Sequence, residues 1–202
     1  MKNLEIRNII TDLSTEEESR TVHGLAIPVN SRSELLGGEF YETITSDAIT
    51  EAFINSQDVK LYLDHDPSHG TFARSKFGVG SLKLSITSRG LEFTTDIPNT
   101  VFGDALLEGI RRGDYDAISF AFLPKEEKWA NNNDGTYERT ITAFKILDEC
   151  SILSQLPAYS ATSVDIRSLN DFKEDEKRHI EEINTKLDNI MKEVDEKSNI
   201  FS

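Results

Sequence analysis

Between Leu4 and Leu153 the apolar residues fall in short, often alternating runs cut off by turn-forming sequence, and a chain punctuated this way buries itself by pairing strands into sheets. Leu4 to Ile10 and Thr21 to Val29 read as two strands separated by the acidic stretch Ser14 to Arg20, with Gly24 and Pro28 interrupting the alternation of the second. Gly37-Gly38 marks a turn, and Glu39 to Ile44 a further strand. Ser46 offers the hydroxyl of a helix N-cap, after which Ala48, Ile49, Ala52, Phe53 and Ile54 share one face of a helix that should pack on the sheet. Val59 to Leu63 alternates again and delivers Asp64-His65-Asp66 at its end, ahead of the loop Pro67 to Gly70.

Phe77 to Ser85 and Leu91 to Ile97 predict two more strands, joined by a turn at Ser88-Arg89-Gly90. Val101, Ala105, Leu106, Gly109 and Ile110 recur at helical intervals, and Gly113 stands where a helix C-terminus favours glycine. Ala117 to Phe122 is an apolar run broken by Ser119, and Tyr137 to Leu153 follows the turn-rich Asn131 to Gly135. Many short strands with two interposed helices predict an α+β, mainly β domain: a closed or partly closed β-barrel with flanking helices.

After Arg167 the character of the chain changes. Asp171 to Lys197 contains neither glycine nor proline and is dominated by charge. Within it Ile180, Ile183, Leu187, Ile190 and Val194 recur at steps of three and four, the seam of about three heptads. The chain therefore divides into a domain of residues 1–167 and a charged helical tail of residues 168–202, hinged at Ser168-Leu169-Asn170. The tail is either a short coiled coil, pairing a homodimer, or an amphipathic helix packed back on the domain.

Composition removes several functions. A formal charge of −14 opposes attraction to phosphate backbones, so nucleic acid is not an expected partner. The start, Met1 to Arg7, carries charge where a signal peptide needs an apolar run, and no segment approaches the length of a membrane span, so a soluble, intracellular protein is expected. The single cysteine, Cys150, cannot form an internal disulfide. Neither a phosphate-binding glycine loop, a dinucleotide fingerprint nor a zinc cysteine pattern occurs, and no cofactor or metal is expected.

Three islands carry candidate chemistry: Leu63-Asp64-His65-Asp66, Ile118-Ser119-Phe120, and Leu147-Asp148-Glu149-Cys150-Ser151. They hold a nucleophile, a base and an acid too far apart in sequence for local geometry to join them. Each also has a plainer reading. Ser119 inside an apolar strand can be a buried hydroxyl bonded to backbone, and His65 a surface or capping histidine with His69 as its rival. Glu149, in an apolar setting, either ends in a salt bridge or orients a histidine. Cys150 lacks an adjacent base and reads as a buried structural thiol. A metal pair of His65 and His69 with Asp66 is disfavoured by Pro67 and Gly70, which break the helix that such spacing needs. The order His, Ser, acid differs from the chymotrypsin, subtilisin and α/β-hydrolase orders, and no Gly-x-Ser-x-Gly elbow surrounds Ser119.

In order and spacing these islands resemble the prohead maturation protease family of tailed bacteriophages. The resemblance runs from about Thr21 to Arg167, through Gly24-Leu25-Ala26, Phe40 to Ile44 with Asp47-Ala48-Ile49, and Leu63 to Asp66. It continues in Gly78 to Leu82, Gly109 to Gly113, Ile118 to Phe122, Arg139-Thr140-Ile141, and Leu147 to Ser151 leading to Pro157-Ala158-Tyr159. It implies a serine endopeptidase related in fold to the herpesvirus assembly proteases, acting in the host cytoplasm inside the assembling prohead. Its expected partners are the capsid precursor and scaffold protein, with self-digestion and a self-cleavage candidate near Arg167. By that resemblance Ser119 is the nucleophile, His65 the general base and Glu149 the third member. Herpesvirus relatives use a second histidine there, and none lies between His69 and His179, so an acid takes the role or the set is a dyad. The alternative is a noncatalytic capsid assembly factor on the same fold, binding scaffold through the tail.

Overall fold

The computed structural model of the chain describes residues 4–11, 13–16, 18–155 and 163–200. It is mainly β, and two open sheets share one apolar core. The strands are β1 (Glu5–Ile10), β2 (Ser14–Thr15), β3 (Thr21–Pro28), β4 (Phe40–Ile44) and β5 (Asp58–Leu63), followed by β6 (Ala73–Lys76), β7 (Val79–Gly80), β8 (Lys83–Ile86) and β9 (Gly90–Asp96). β10 (Ala117–Asn131) and β11 (Tyr137–Leu153) complete the set, and the helices are α1 (Glu51–Ile54), α2 (Val101–Arg111) and α3 (Ser163–Ile200). The larger sheet runs β1-β10-β11-β5-β6-β7, with β4 beside the first half of β11; the smaller runs β2-β3-β9-β8.

β10 and β11 form a long antiparallel hairpin closed by the Asn132 to Thr136 turn, where Asp134 Oδ1 accepts from the Thr136 amide at 2.9 Å. Along β10, Ile118, Phe120 and Phe122 enter the core while Ser119 and Ala121 point to the other face, as the period of two requires. β11 follows the same rule, with Cys150 and Ile152 in the core and Glu149 and Ser151 on the face of Ser119. From the smaller sheet Val22, Ala26, Ile27, Leu91 and Phe93 meet these residues, and α2 adds Leu106, Leu107 and Ile110. α2 starts where Thr100 Oγ1 accepts from the Gly103 amide at 3.1 Å, and ends at Gly113, whose φ of +73° favours glycine.

The barrel expected from the strand count does not form. Among the described residues β1 and β7 bound the larger sheet and β2 and β8 the smaller, so no pairing closes either. The two sheets bury apolar residues of both in one shared cluster, an arrangement that needs no closure of either. Three local expectations also change. Ser46 is not the cap of a long helix: residues 46–48 make one 3-10 turn, Ile49 and Thr50 are extended, and Thr50 Oγ1 caps the one-turn α1 through the Phe53 amide at 3.2 Å. Phe77 does not start a strand, because Phe77 and Gly78 both take positive φ and turn the chain between β6 and β7. In the tail, α3 runs through Ser168-Leu169-Asn170 without a break, consistent with three residues that are neither glycine nor proline.

A buried ion cluster ties four strands together. The fully buried Arg139 of β11 donates to Glu5 of β1 at 2.6 and 3.0 Å, to Glu42 of β4 at 2.9 Å and to Glu127 of β10 at 2.9 Å. Arg7 of β1 holds Glu42 in a fork of 2.8 and 2.7 Å. Burial alone would push the Arg139 guanidinium down, but the Glu5 hydrogen bond and the charges of Glu42, Glu5 and Glu127 carry it above the usual arginine value. Removing this cation leaves carboxylates facing each other away from water. Arg139→Met should therefore lower the unfolding free energy by about 3–5 kcal/mol in urea denaturation. An unchanged midpoint and slope would show that the cluster is not needed for stability.

Candidate functional site

Ser119 is the third residue of β10 and is fully buried, with Asn8 of β1 directly across on one side and Ser151 of β11 on the other. Residues opposite one another in an antiparallel pair project from the same face, so Asn8, Ser119 and Ser151 form a row. Glu149 lies two residues before Ser151 and shares that face. Ser151 Oγ donates to Glu149 Oε1 at 3.4 Å, and the same oxygen meets His65 Nδ1.

His65 reaches this point from a tight turn rather than from a strand. β5 pairs in parallel with the end of β11, Tyr62 beside Ser151 and Leu63 beside Ile152, so the chain leaving Leu63 emerges next to the Ser119 row. Asp64 and His65 then take φ of +53° and +60°, and the Asp66 amide donates to Leu63 O at 2.9 Å. Two successive left-handed residues closed by this bond have the form of a type I′ turn. Holding non-glycine residues there costs about 1–3 kcal/mol each. The compensation is visible: Asp64 accepts from the Ser154 amide at 2.8 Å and its hydroxyl at 2.7 Å, and the Asp64 amide donates to Ile152 O at 2.9 Å. Asp66 accepts from the Ser68 amide and hydroxyl, both at 2.8 Å, and the amide bond is the larger cause holding its carboxyl below the usual range. Both aspartates beside His65 are thus engaged with serines, and the acid that His65 meets comes from β11.

A carboxylate can only accept, so Nδ1 of His65 carries the proton toward Glu149, an arrangement in which a neutral ring presents Nε2 as a bare lone pair. His65 Nε2 and Ser119 Oγ are buried and find no hydrogen-bond partner among the described residues. The imidazole remains 25% exposed and Glu149 14%, which leaves the histidine side of the site nearest to solvent. His69 does not join them: its ring lies 5.0 Å from that of Phe102 on α2, and its nearest carboxylate is Asp66 at 4.0 Å. Asp148 pairs with Lys60 at 3.4 Å. Among the described residues, no three His, Cys, Asp or Glu are grouped to hold a metal.

Two residues of this arrangement had no role in the sequence reading. Asn8 and Ser151 are polar positions within alternating strands, and only the strand register discloses that they flank Ser119. Cys150 lies on the opposite face, and burial first, then the Glu149 charge, pushes its thiol up to about 12. The native protein should accordingly be inert to an aromatic disulfide reagent at neutral pH, with one equivalent titrating only after denaturation. Rapid labelling of the folded protein would contradict that burial.

A serine, a histidine with one nitrogen fixed by a carboxylate, and that carboxylate are the parts from which serine hydrolases are built. The chain belongs to the caudovirus prohead serine protease family, whose sequence profile matches residues 4–178. It is a protease of phage prohead maturation. A solved structure, the bacteriophage T4 capsid assembly protease gp21, is similar at a TM-score of 0.47 and 12% identity over 74% of this chain and 98% of that one. No curated protein sequence matches the chain.

Proposed function

We propose that Ser119 is the nucleophile, His65 the general base and Glu149 the orienting acid, and that the bonds cleaved lie in the capsid precursor or the scaffold protein. The observation that carries this reading is the contact of Glu149 with His65 Nδ1, beside two buried reactive atoms, His65 Nε2 and Ser119 Oγ, left without partners. His65 Nε2 takes the Ser119 proton as Oγ attacks the peptide carbonyl, and then gives it to the leaving amine to leave an acyl-enzyme. Water, deprotonated by the same nitrogen, releases the acid product and restores Ser119. Glu149 fixes the tautomer and stabilises the imidazolium formed in each half-reaction.

Side-by-side mass spectrometry of a co-expressed capsid precursor tests the assignment. Ser119→Ala should abolish processing while the protein stays folded, and Glu149→Gln should slow it about 10⁴-fold, as loss of the tautomer-fixing acid does in other triads. Normal processing by Ser119→Ala would sink the proposal. Products released from the wild-type chain itself would establish self-cleavage. At the candidate position Arg167 the backbone lies within α3, so cleavage there requires local unwinding.

For the tail we propose self-association or docking on scaffold helices. Ile180, Ile183, Leu187 and Ile190 are 53, 43, 51 and 57% exposed, so the heptad seam is available to a partner. Replacing Ile183 and Leu187 together by Asp in the full chain should shift its sedimentation from dimer toward monomer and leave peptide cleavage intact. A wild-type chain that stays monomeric at high concentration would instead favour the scaffold as partner, read as reduced incorporation of the double variant into proheads.

A further inference from the structure

Five buried side-chain polar atoms find no hydrogen-bond partner among the described residues, and three of them are Asn8 Oδ1, Ser119 Oγ and His65 Nε2. Buried polar groups without partners are rare enough that a concentration of them at one place needs a cause. Ser119 and His65 are explained by the reaction. Asn8 is not, yet its register places it directly opposite Ser119, across a pair of strands whose facing Cβ atoms lie about 4.5–5.5 Å apart. The other neighbour of Ser119 is already committed, because Ser151 donates to Glu149. Asn8 is therefore the polar side chain beside the nucleophile that has no task in the resting protein.

Resting on the assignment of Ser119 as nucleophile, we propose that the Asn8 carboxamide is a catalytic residue that donates to the oxyanion of the tetrahedral intermediate. A half-turn about χ2 exchanges Oδ1 and Nδ2 in the same socket, so the position that now holds an unpaired acceptor can present an N–H. When Ser119 Oγ adds to the carbonyl carbon, the π electrons move onto the carbonyl oxygen, and the resulting charge lies within reach of residues flanking Oγ. Asn8 Nδ2–H donates to that oxygen without transferring its proton, and the bond relaxes when the carbonyl re-forms on amine departure. A carboxamide supplies this donation without bringing a charge of its own next to Glu149 and His65, and side-chain amides serve this purpose in other hydrolases. The unsatisfied resting state follows from the same design, since a donor kept for the transition state has no equal partner in the ground state.

The test uses the full chain with a peptide spanning a cleavage site of the precursor, and compares wild type, Ser119→Ala, Asn8→Ala and Asn8→Asp on the plateau of the pH profile. Working on the plateau keeps a shifted His65 titration from imitating a lost donor. Asn8→Ala should lose about 10²–10³-fold in kcat with little change in KM, the usual consequence of removing one oxyanion donor. Asn8→Asp, nearly identical in shape but an acceptor only, should lose at least as much. Affinity for a peptide boronate, which forms the tetrahedral adduct, should fall in parallel, while affinity for the cleaved peptide product should hold. The melting temperature of Asn8→Ala should be unchanged or raised, since an unpaired buried group has been removed. Full kcat in Asn8→Asp would overturn the proposal by showing that an acceptor suffices. In Asn8→Ala, loss of kcat accompanied by a lowered melting temperature and unchanged boronate affinity would overturn it in favour of a purely structural asparagine. Activity retained by Ser119→Ala would fail the nucleophile assignment itself, a result that no Asn8 variant can produce.

Discussion

The pairing of β10 with β11 is the constraint from which the rest of the site follows. Fifteen and seventeen residues long, these strands fix Ser119 opposite Ser151 and Ala121 opposite Glu149, so the serine and the acid share a face by register alone. One edge of β11 then receives β4 and β5 in parallel, and the β5 pairing puts Leu63 beside Ile152 at the level where the His65 turn must begin. A slip of one residue in any of these pairings would send a site side chain to the core face. Phe120, Phe122, Cys150 and Ile152 guard against it, because the slip would carry them out of the apolar core and put Ser119 and Glu149 in their place.

The ion cluster guards the same register from the other end of the sheet. Glu5 and Arg7 belong to β1, Glu42 to β4, Glu127 to β10 and Arg139 to β11, and forked guanidinium contacts tolerate little sliding. A buried cluster of this kind is weak support for stability compared with apolar residues of equal volume, but it discriminates against misregistered pairings that would strand a charge. β1 matters here beyond its length of six residues, since it carries both cluster residues and Asn8 on alternate faces. The strand that closes the ion cluster is thus the one that flanks Ser119.

How much was legible in the sequence follows from which rules act locally. The strands around Phe40, Leu61, Phe93 and Phe120, the helix ending before Gly113 and the turn at Asn131 to Gly135 were readable because periodicity and turn residues are short-range signals. The Ser46 cap failed because Thr50 offers an equivalent hydroxyl four residues on, and tertiary pairing of Thr45 with Ile141 decides between them. The barrel failed because strand count does not say which edges meet. His65, Ser119 and Glu149 could be singled out by chemistry and resemblance, yet the turn that delivers His65 could not, since aspartate and histidine tolerate a left-handed backbone without requiring one as glycine would signal. Asn8 was invisible for a related reason: a polar residue in a half-buried strand is ordinary until its partner across the sheet is known.

The position of Ser119 also limits how a peptide can reach it. Both edges of β10 around Ser119 are occupied, by β1 through Asn8 and by β11 through Ser151, so a peptide cannot pair with β10 at Ser119. Any peptide that reaches Ser119 approaches face-on, over the row that Asn8, Ser119 and Ser151 make. Ala121 beside Ile6 and Glu149 keeps the next row low, which leaves room for a backbone lying across the strands. Ser119 has no exposed surface while His65 retains a quarter of its own, so the side of the row nearest to solvent is the histidine side.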